Sequence, residues 1–184
     1  MQGRVIVLSG PPGAGKSTTA RTITATYAQA VHLHTDDFWA FIASGYVAPY
    51  LPESNAQNHT VVRAAAAAAF TFASGGYTVL VDGVVGPWML DHYRRAAQEH
   101  TAIALHYIVL RPSKAVSLAR AQARSAPDAL AEESPINTLY DQFSDLGSYE
   151  HHVIDTTEHT PRNTRQAVID AIASHDFSVT RTPG

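Results

Sequence analysis

The sequence has 184 residues, a formal net charge of −3 and no cysteine. This length fits one domain, residues 1–184, with a buried core. The slight acidic excess, without a block of like charges, argues against a dedicated nucleic-acid binder. The lack of cysteine excludes disulfides, thiolate catalysis and thiolate metal sites. No apolar run reaches the length of a membrane span and no basic-then-apolar signal segment opens the sequence, so we expect a cytoplasmic protein without a membrane partner.

Short β-branched runs alternate along the chain with segments of helical periodicity. Strands are predicted, in chain order, at 4–9, 31–34, 77–81, 102–110 and 152–155. Helices are predicted at 17–28, 35–44, 57–74, 87–100, 113–124 and 136–143, before a last helix that Thr160 and Pro161 open. Strands alternating with helices predict an α/β fold, a parallel sheet covered on both sides that binds ligands at the carboxyl ends of its strands.

Two segments are predicted to lie outside the core. Residues 125–135 contain two prolines, several acidic residues and almost no large side chain. This composition is typical of a mobile loop or lid, which we place at approximately 120–135 to include the end of the preceding helix. Residues 176–184 are predicted to form a tail.

Residues 10–17 read GPPGAGKS and match G-x-x-x-x-G-K-[ST] in full, after a predicted strand and before a helix. Glycines allow the backbone to wrap closely, so that successive N–H groups point at phosphate oxygens. In this motif Lys16 reaches the β- and γ-phosphates and the Ser17 hydroxyl binds Mg²⁺. A glycine-rich turn without a ligand is the alternative, and the complete motif in its expected context disfavours it. The residues expected to contact the nucleotide here are Gly10, Pro11, Pro12, Gly13, Ala14, Gly15, Lys16, Ser17 and Thr18.

Asp82 ends the apolar run YTVLVD. An aspartate at the end of a strand near a phosphate loop is the Walker-B pattern, which holds Mg²⁺. An aspartate here is also a common turn former. The phosphate loop favours the metal role.

These features together resemble one family of enzymes. The phosphate loop near the N-terminus, an acid after strand two, DG after strand three and an arginine-containing helix after strand four resemble the P-loop kinases of the nucleoside-monophosphate-kinase-like group. That group includes chloramphenicol phosphotransferase, gluconate and shikimate kinases and zeta-toxin-like kinases; the DD-hydrophobic-W stretch resembles bacterial P-loop ATPase/kinase-like proteins. The resemblance covers nearly the whole chain. It implies a three-layer α/β/α sandwich with a five-stranded parallel sheet of order 2-3-1-4-5, and ATP and Mg²⁺ as cofactors.

The acid after strand two commonly approaches the acceptor hydroxyl in this family, and here two acids compete for that role. If Thr35 caps the helix, Asp36 and Asp37 both lie in its first turn, where the helix dipole favours negative charge. Adjacent helical residues point about 100° apart, so the two should differ in role. By resemblance to chloramphenicol phosphotransferase, Asp37 is assigned as general base or acceptor orienter, and Asp36 faces the Mg²⁺ or is structural. The reverse assignment stays open.

Phosphoryl transfer needs positive charge beyond Lys16. Arg120 and Arg124 are four residues apart on one predicted helix face, just before the lid segment, where related kinases carry lid arginines. Arg111, directly after strand four, is a third candidate. Two solvated surface arginines are the alternative for the first pair.

The sequence IDTTEHTP (154–161) lies where this family usually holds the nucleotide base. Asp155, Thr156 and Thr157 are the candidates, although a plain threonine-capped loop would have the same sequence. No N-K-x-D element of the guanine-reading kind is present, which favours ATP as the donor.

The acceptor pocket is expected between the helices that follow strands two and three. The candidates are Phe38, Trp39, Phe41, Tyr46, Tyr50, His59, Arg63, Trp88 and Arg94, of which at least half are expected to serve packing. Positions 36–40 read DDFWA and lack the D-x-x-R element with which shikimate kinase binds its acid. An uncharged or aromatic hydroxyl compound is therefore favoured over an anionic acceptor.

The leading hypothesis is an ATP- and Mg²⁺-dependent phosphotransferase that acts on a hydroxyl of a small molecule. The alternative is an ATP-binding switch or slow ATPase that acts through a protein partner and would not require the acids at 36–37 or the lid arginines. A kinase for nucleic-acid ends is disfavoured because no basic track is present. The sequence does not indicate an oligomeric state.

Overall fold

The structure is a computed structural model that describes residues 3–123 and 132–179. Five strands form one parallel sheet of order β2-β3-β1-β4-β5, which confirms the predicted order. The strands are β1 (Arg4–Ser9), β2 (Ala30–His34), β3 (Thr78–Asp82), β4 (Ala104–Leu110) and β5 (Val153–Ile154). All four strand pairings are parallel, and each neighbouring pair is joined through helices, as a parallel sheet requires.

Seven α-helices connect and cover these strands in the described part of the chain: α1 (Lys16–Thr24), α2 (Asp36–Ala40), α3 (Asn55–Ser74), α4 (Pro87–Glu99), α5 (Lys114–Gln122), α6 (Glu133–Asp141) and α7 (Pro161–Ser174). Two short 3₁₀ helices, Pro52–Ser54 and Gly147–His152, lie in the connections. At the start of α7 the Thr160 hydroxyl accepts a hydrogen bond from Asn163 N, so the predicted cap is confirmed. Among the residues that the structure describes, no helix has both the length and the apolar character to cross a bilayer.

The central strand β1 is buried on both faces, as its β-branched sequence predicts. Val5 and Val7 face the core beneath α3 and α4, while Ile6 and Leu8 face the second core beneath α1 and α7. Successive strand residues point to opposite faces, so one short strand joins the two cores of the predicted three-layer sandwich. It also fixes the position of the loop that follows it.

The second helix is shorter than predicted. The sequence predicted a helix over 35–44, whereas α2 ends at Ala40. The chain after it is held by α3 instead: the Gln57 side chain bonds both the N–H and the carbonyl of Val47, and Asn58 Nδ2 donates to Pro49 O. These long-range bonds replace the helical ones that a continued α2 would have made.

Of the two segments predicted to lie outside the core, the C-terminal one differs from expectation. Residues 177–179 are not a tail, because Phe177 O accepts from Tyr107 N (2.9 Å) and Val179 N donates to Leu105 O (2.9 Å), which forms an antiparallel bridge between His106 and Ser178. The predicted lid at 120–135 begins within α5, which ends at Gln122, and its last residues, from Glu133, belong to α6. Residues 124–131 and 180–184 lie outside the described residues.

Candidate functional site

The phosphate loop connects β1 to α1 and is almost fully buried. Gly10, Gly13 and Gly15 have positive φ angles, which L-residues with a side chain rarely adopt. The need for glycine at position 13 is steric as well, since a Cβ there would lie 2.1 Å from Ser117 O. The Ser117 hydroxyl on α5 also donates to Pro12 O. Helix α5 thus packs against the loop and holds its shape.

The N-terminus of α1 has no side-chain cap. Gly15 is its N-cap residue, and no side chain accepts a hydrogen bond there. The first N–H groups of a helix have no partner within the helix, and together with the dipole they attract an anion. The structure therefore presents the backbone donors that the motif predicts for phosphate.

Lys16 is buried, with 7% of its surface exposed. Its ammonium donates to Gly10 O (2.8 Å) and to Pro11 O (3.0 Å), within its own loop. These bonds hold the ammonium close to the backbone of the loop. Ser17 is half-buried beside it, and Thr18 is exposed. The roles of all three toward a nucleotide remain predictions.

Asp82 lies at the carboxyl end of β3 with its side chain fully buried. Its Oδ2 accepts a hydrogen bond from His32 Nε2 (3.2 Å), whereas its Oδ1 has no partner within the described chain. Burial raises the pKa of this carboxyl. The hydrogen bond from His32 and the charge of Lys16 outweigh burial and hold the pKa below its ordinary value. Asp82 is therefore an ionised carboxylate with one oxygen left to bind something else.

The residues around that oxygen fit a magnesium ion. The Ser17 hydroxyl also contributes to lowering the pKa of Asp82. A hydroxyl and a carboxylate are ligands that Mg²⁺ accepts, and a buried polar atom without a partner usually marks a missing ligand or water. Ser17 and Asp82 would hold the ion, as predicted. The predicted role of Asp36 as a further ligand stays a prediction.

Asp36 and Asp37 lie in the first turn of α2, and both side chains are mostly exposed. Thr35 is the N-cap residue, but its hydroxyl caps nothing: it is buried without a partner in the described structure, against Gly83. Thr35 therefore occupies the N-cap position that the sequence analysis considered, without a side-chain cap. Gly83 leaves just enough room for this hydroxyl, since a Cβ there would lie 1.9 Å from it.

His34 connects the two acids. Its Nδ1 lies 3.3 Å from Asp37 Oδ1 and its Nε2 lies 3.7 Å from Asp36 Oδ2. The same Nε2 is 3.9 Å from Asp82 Oδ2. The two acids thus lie near opposite nitrogens of one imidazole; that they differ in role stays a prediction. This histidine brings them near the buried carboxylate at the phosphate loop.

A cavity of about 300 Å³ lies beside the phosphate loop. It is lined by Gly13, Ala14, Gly15, Thr18, Thr19, Arg120, His159, Pro161 and Thr164. Arg120 donates weakly to two carbonyl oxygens of the loop before α7, Thr156 O (3.5 Å) and His159 O (3.3 Å). The structure therefore places Arg120 beside the predicted nucleotide site. Arg124 lies outside the described residues.

The predicted base-binding residues form a turn next to this cavity. Asp155 Oδ1 accepts hydrogen bonds from the Thr157 hydroxyl (2.6 Å) and backbone N–H (2.8 Å), which lower the pKa of Asp155. The Thr157 hydroxyl also accepts from Ser113 N and so ties the turn to the start of α5. Thr156 is buried, and its hydroxyl has no partner in the described part of the chain. None of the three is among the lining residues, although the turn supports those that are.

The acceptor-side candidates divide into packed and exposed groups. The exposed aromatic side chains are Phe41, Tyr46, Tyr50 and Trp88. Trp39 is half-buried and donates from Nε1 to Asn58 Oδ1, while Phe38 packs beside the core. His59 Nδ1 lies 2.9 Å from His92 Nε2, which joins α3 to α4, and Arg94 pairs with Asp91. Arg63 is exposed on α3.

Comparison with known proteins identifies the family. Residues 5–148 match the family described as an AAA domain. The chain belongs to this family. A comparison with curated protein sequences gives no match.

Solved structures of P-loop kinases share the fold over almost the whole chain. A gluconokinase from Sinorhizobium meliloti has a TM-score of 0.68 at 15% identity, covering 93% of this chain and 92% of its own. Shikimate kinase from Acinetobacter baumannii, in complex with shikimate, has a TM-score of 0.65 at 20% identity, with 94% of each chain covered. The APS kinase CysC of Mycobacterium tuberculosis, in complex with AMPPNP and APS, has a TM-score of 0.65 at 17% identity, covering 94% of this chain and 98% of its own. The protein therefore has the P-loop kinase-like fold.

The site of this P-loop kinase-like domain contains residues that the sequence analysis did not select. His159, Pro161 and Thr164 line the cavity beside the phosphate loop. His159 and Pro161 belong to the stretch 154–161 that was expected near the nucleotide base, and Thr164 lies at the start of the last helix. His32 and His34 contact the carboxylates on the other side. The signal for these two was their alternation at the end of a short strand, which places both side chains on one face.

Proposed function

We propose that the protein is an ATP- and Mg²⁺-dependent phosphotransferase that acts on a hydroxyl group of a small molecule. One observation carries this proposal: a buried carboxylate beside the phosphate loop, Asp82, neighbours two exposed carboxylates through His34. A nucleotide switch needs the first carboxylate but has no use for the others. An acceptor-binding enzyme needs an acid that a second substrate can reach, and Asp37 is exposed.

The residues divide the work of phosphoryl transfer between them. The Lys16 ammonium and the uncapped N–H groups of α1 bind phosphate oxygens, and Arg120 adds positive charge from α5. When Mg²⁺ is bound by Ser17 and Asp82, it supplies positive charge to the phosphate oxygens. Asp37 accepts the proton of the acceptor hydroxyl or holds that hydroxyl in line, which makes the oxygen the attacking atom.

The acceptor that fits this site best is uncharged or aromatic. Phe41 follows Asp37 by one helical turn and is 73% exposed, and Tyr46 and Tyr50 are also exposed on the segment that follows. Exposed aromatic rings provide surfaces on which a ring or an apolar molecule stacks.

The test measures ADP release with Mg·ATP, alone and with a panel of hydroxyl compounds: aminoglycosides, phenicols, sugars, sugar nucleotides and nucleoside monophosphates. We expect one class to stimulate the wild-type protein. Asp37→Asn should lower the stimulated rate of ADP release by at least about 100-fold and leave the nucleotide affinity unchanged. Asp170→Asn, an exposed aspartate on α7, is the matched control and should behave as wild type.

Asp36→Asn decides between the two acids, because the variant that loses stimulation identifies the acceptor residue. If no compound stimulates ADP release and Asp37→Asn leaves the basal rate unchanged, the proposal is wrong and the protein is a nucleotide switch. Binding to an oligonucleotide that weakens steeply with salt would instead indicate a nucleic-acid acceptor.

A further inference from the structure

Two histidines on β2 face the carboxyl end of β3. His32 and His34 alternate along the strand, so both side chains lie on the same face. The strand register pairs His32 with Leu80 and His34 with Asp82. The two imidazoles therefore lie beside the buried carboxylate but at different distances from it.

Of these two imidazoles, only that of His32 is within hydrogen-bonding distance of the Asp82 carboxylate. Its Nε2 lies 3.2 Å from Asp82 Oδ2, whereas the Nε2 of His34 lies 3.9 Å from the same oxygen. A separation of 3.9 Å is too long for a hydrogen bond. Because the carboxylate can only accept, His32 is the donor.

This bond makes the two oxygens of Asp82 unequal. Oδ2 is occupied by the imidazole, and Oδ1 has no partner among residues 3–123 and 132–179 although it is fully buried. Without the histidine, rotation about the Cβ–Cγ bond of Asp82 would exchange the two oxygens, and neither would have a fixed direction. Protein metal sites commonly use a hydrogen bond to the far side of a ligand to fix its orientation.

We propose that His32 is a positioning residue for the metal site: its Nε2–H holds Oδ2 of Asp82 so that Oδ1 is kept for the Mg²⁺ that accompanies the nucleotide. The inference rests on the proposed function, because it requires that the protein binds Mg²⁺ with a nucleotide. It predicts a defect in the use of the metal and no defect in contacts between the phosphate loop and the phosphates.

The experiment measures the affinity for a fluorescent ADP analogue over a series of free Mg²⁺ concentrations and in EDTA. We expect His32→Ala to raise the Mg²⁺ concentration at the binding midpoint by about 10-fold or more, with unchanged affinity in EDTA. The EDTA value also reports that the loop is folded. His32→Gln places an amide donor near the position of Nε2 and should restore the midpoint. His151→Ala, an exposed histidine in the second 3₁₀ helix, is the control.

A double variant tests whether His32 acts through Asp82. In an Asp82→Asn background, His32→Ala should shift the midpoint by no more than about twofold, because the carboxylate that it positions is gone. An additive shift would overturn the inference. The inference would also be overturned if His32→Ala had the same Mg²⁺ midpoint as wild type. It would equally be overturned if His32→Ala lost the same affinity with Mg²⁺ as in EDTA, because the histidine would then be merely structural. If nucleotide binding to the wild-type protein does not depend on Mg²⁺, the proposed function itself is wrong. The wild-type measurement thus distinguishes failure of the proposed function from failure of the inference about His32.

Discussion

Arg111 donates two hydrogen bonds to Glu150, from Nη1 to Oε1 and from Nη2 to Oε2, each over 2.8 Å. The guanidinium also donates to Phe143 O (2.8 Å), directly after α6. The sequence made Arg111 a third candidate for stabilising the transferred phosphoryl group. Its planar fork is instead occupied in joining the end of β4 to the segment after α6.

Glu150→Gln should therefore reduce stability and leave nucleotide affinity unchanged. The hydrogen bonds from Arg111 and from Leu146 N lower the pKa of Glu150 to about 2, from an ordinary value of 4.5. Because folding lowers the pKa of this acid, its contribution to the free energy of unfolding is complete above about pH 4.5 and is lost as pH falls toward 2. Because the pair is partly exposed, we expect a loss of about 1 kcal/mol at pH 7, measured by urea unfolding, and a smaller difference near pH 3. Glu158→Gln serves as control; an equal loss there would contradict the assignment.

The chain has two lysines, and they give a matched pair for testing the phosphate loop. Lys16 is buried within its loop, whereas Lys114 is exposed and pairs with Asp141 at 2.6 Å. Lys16→Met should lower nucleotide turnover by at least about 100-fold, because it removes positive charge where charge develops. Lys114→Met should leave turnover unchanged. Turnover and nucleotide affinity are measured for both, and a similar effect of the two changes would argue against the site.

Two glycines with nearly equal φ angles separate backbone strain from steric collision. Gly13 has φ 79° and Gly45 has φ 77°, but an added Cβ meets Ser117 O at 2.1 Å only at Gly13, and nothing within 4 Å at Gly45. Gly45→Ala should cost about 1 kcal/mol for the left-handed backbone. Gly13→Ala should cost roughly 3 kcal/mol or more and abolish nucleotide binding. Thermal unfolding and nucleotide titration measure both effects; equal losses would mean that α5 does not press on the loop.

Stability should fall in mild acid because of a buried histidine far from the site. His106 on β4 is buried, and burial, with the nearby His175 and Arg4, lowers the pKa of His106 to about 4 from 6.5. A base with a lowered pKa folds in its neutral form. The contribution of His106 to the free energy of unfolding is complete above pH 6.5 and is lost as pH falls from 6.5 toward 4. This loss is about 3 kcal/mol at most.

His106→Leu removes that titration and also removes a buried Nδ1 that has no partner within the described residues. We expect the fall in melting temperature between pH 7 and pH 5 to become smaller in this variant. It should not vanish, because burial lowers the pKa of His92 and His152 as well. His151→Leu is the exposed control, and an unchanged pH slope in His106→Leu would show that other groups cause the acid sensitivity.

The sequence predicted all five strands of the described sheet, because most of them are short apolar or β-branched runs with a clear end, such as Gly10 after β1 and Asp82 at the end of β3. It predicted the boundaries of β1 and the last residue of β3 to within one position. The end of α2 was wrong because the chain after this helix is bound to α3, where the Gln57 side chain bonds Val47. Such bonds join residues that are distant in sequence and leave no local pattern.

For the site, the sequence supplied the residues whose role follows from a motif or from a strand end, namely the phosphate loop and Asp82. It did not supply His32, His34 or His159, because a histidine in a strand or loop has many uses and only its neighbours decide among them. Asp36 and Asp37 were selected as a pair, but their separation on the two nitrogens of His34 required the fold.

The antiparallel bridge between His106 and Ser178 covers part of a strand that would otherwise be open. β5 pairs with only two residues of β4, Val109 and Leu110, and Phe177 and Val179 take up backbone groups of the residues before them. An uncovered row of N–H and C=O groups is a template for pairing with another molecule. A chain that ends before Phe177 should therefore keep its phosphate loop but self-associate through the bared edge, and a purification tag placed there would need to leave this segment free to dock.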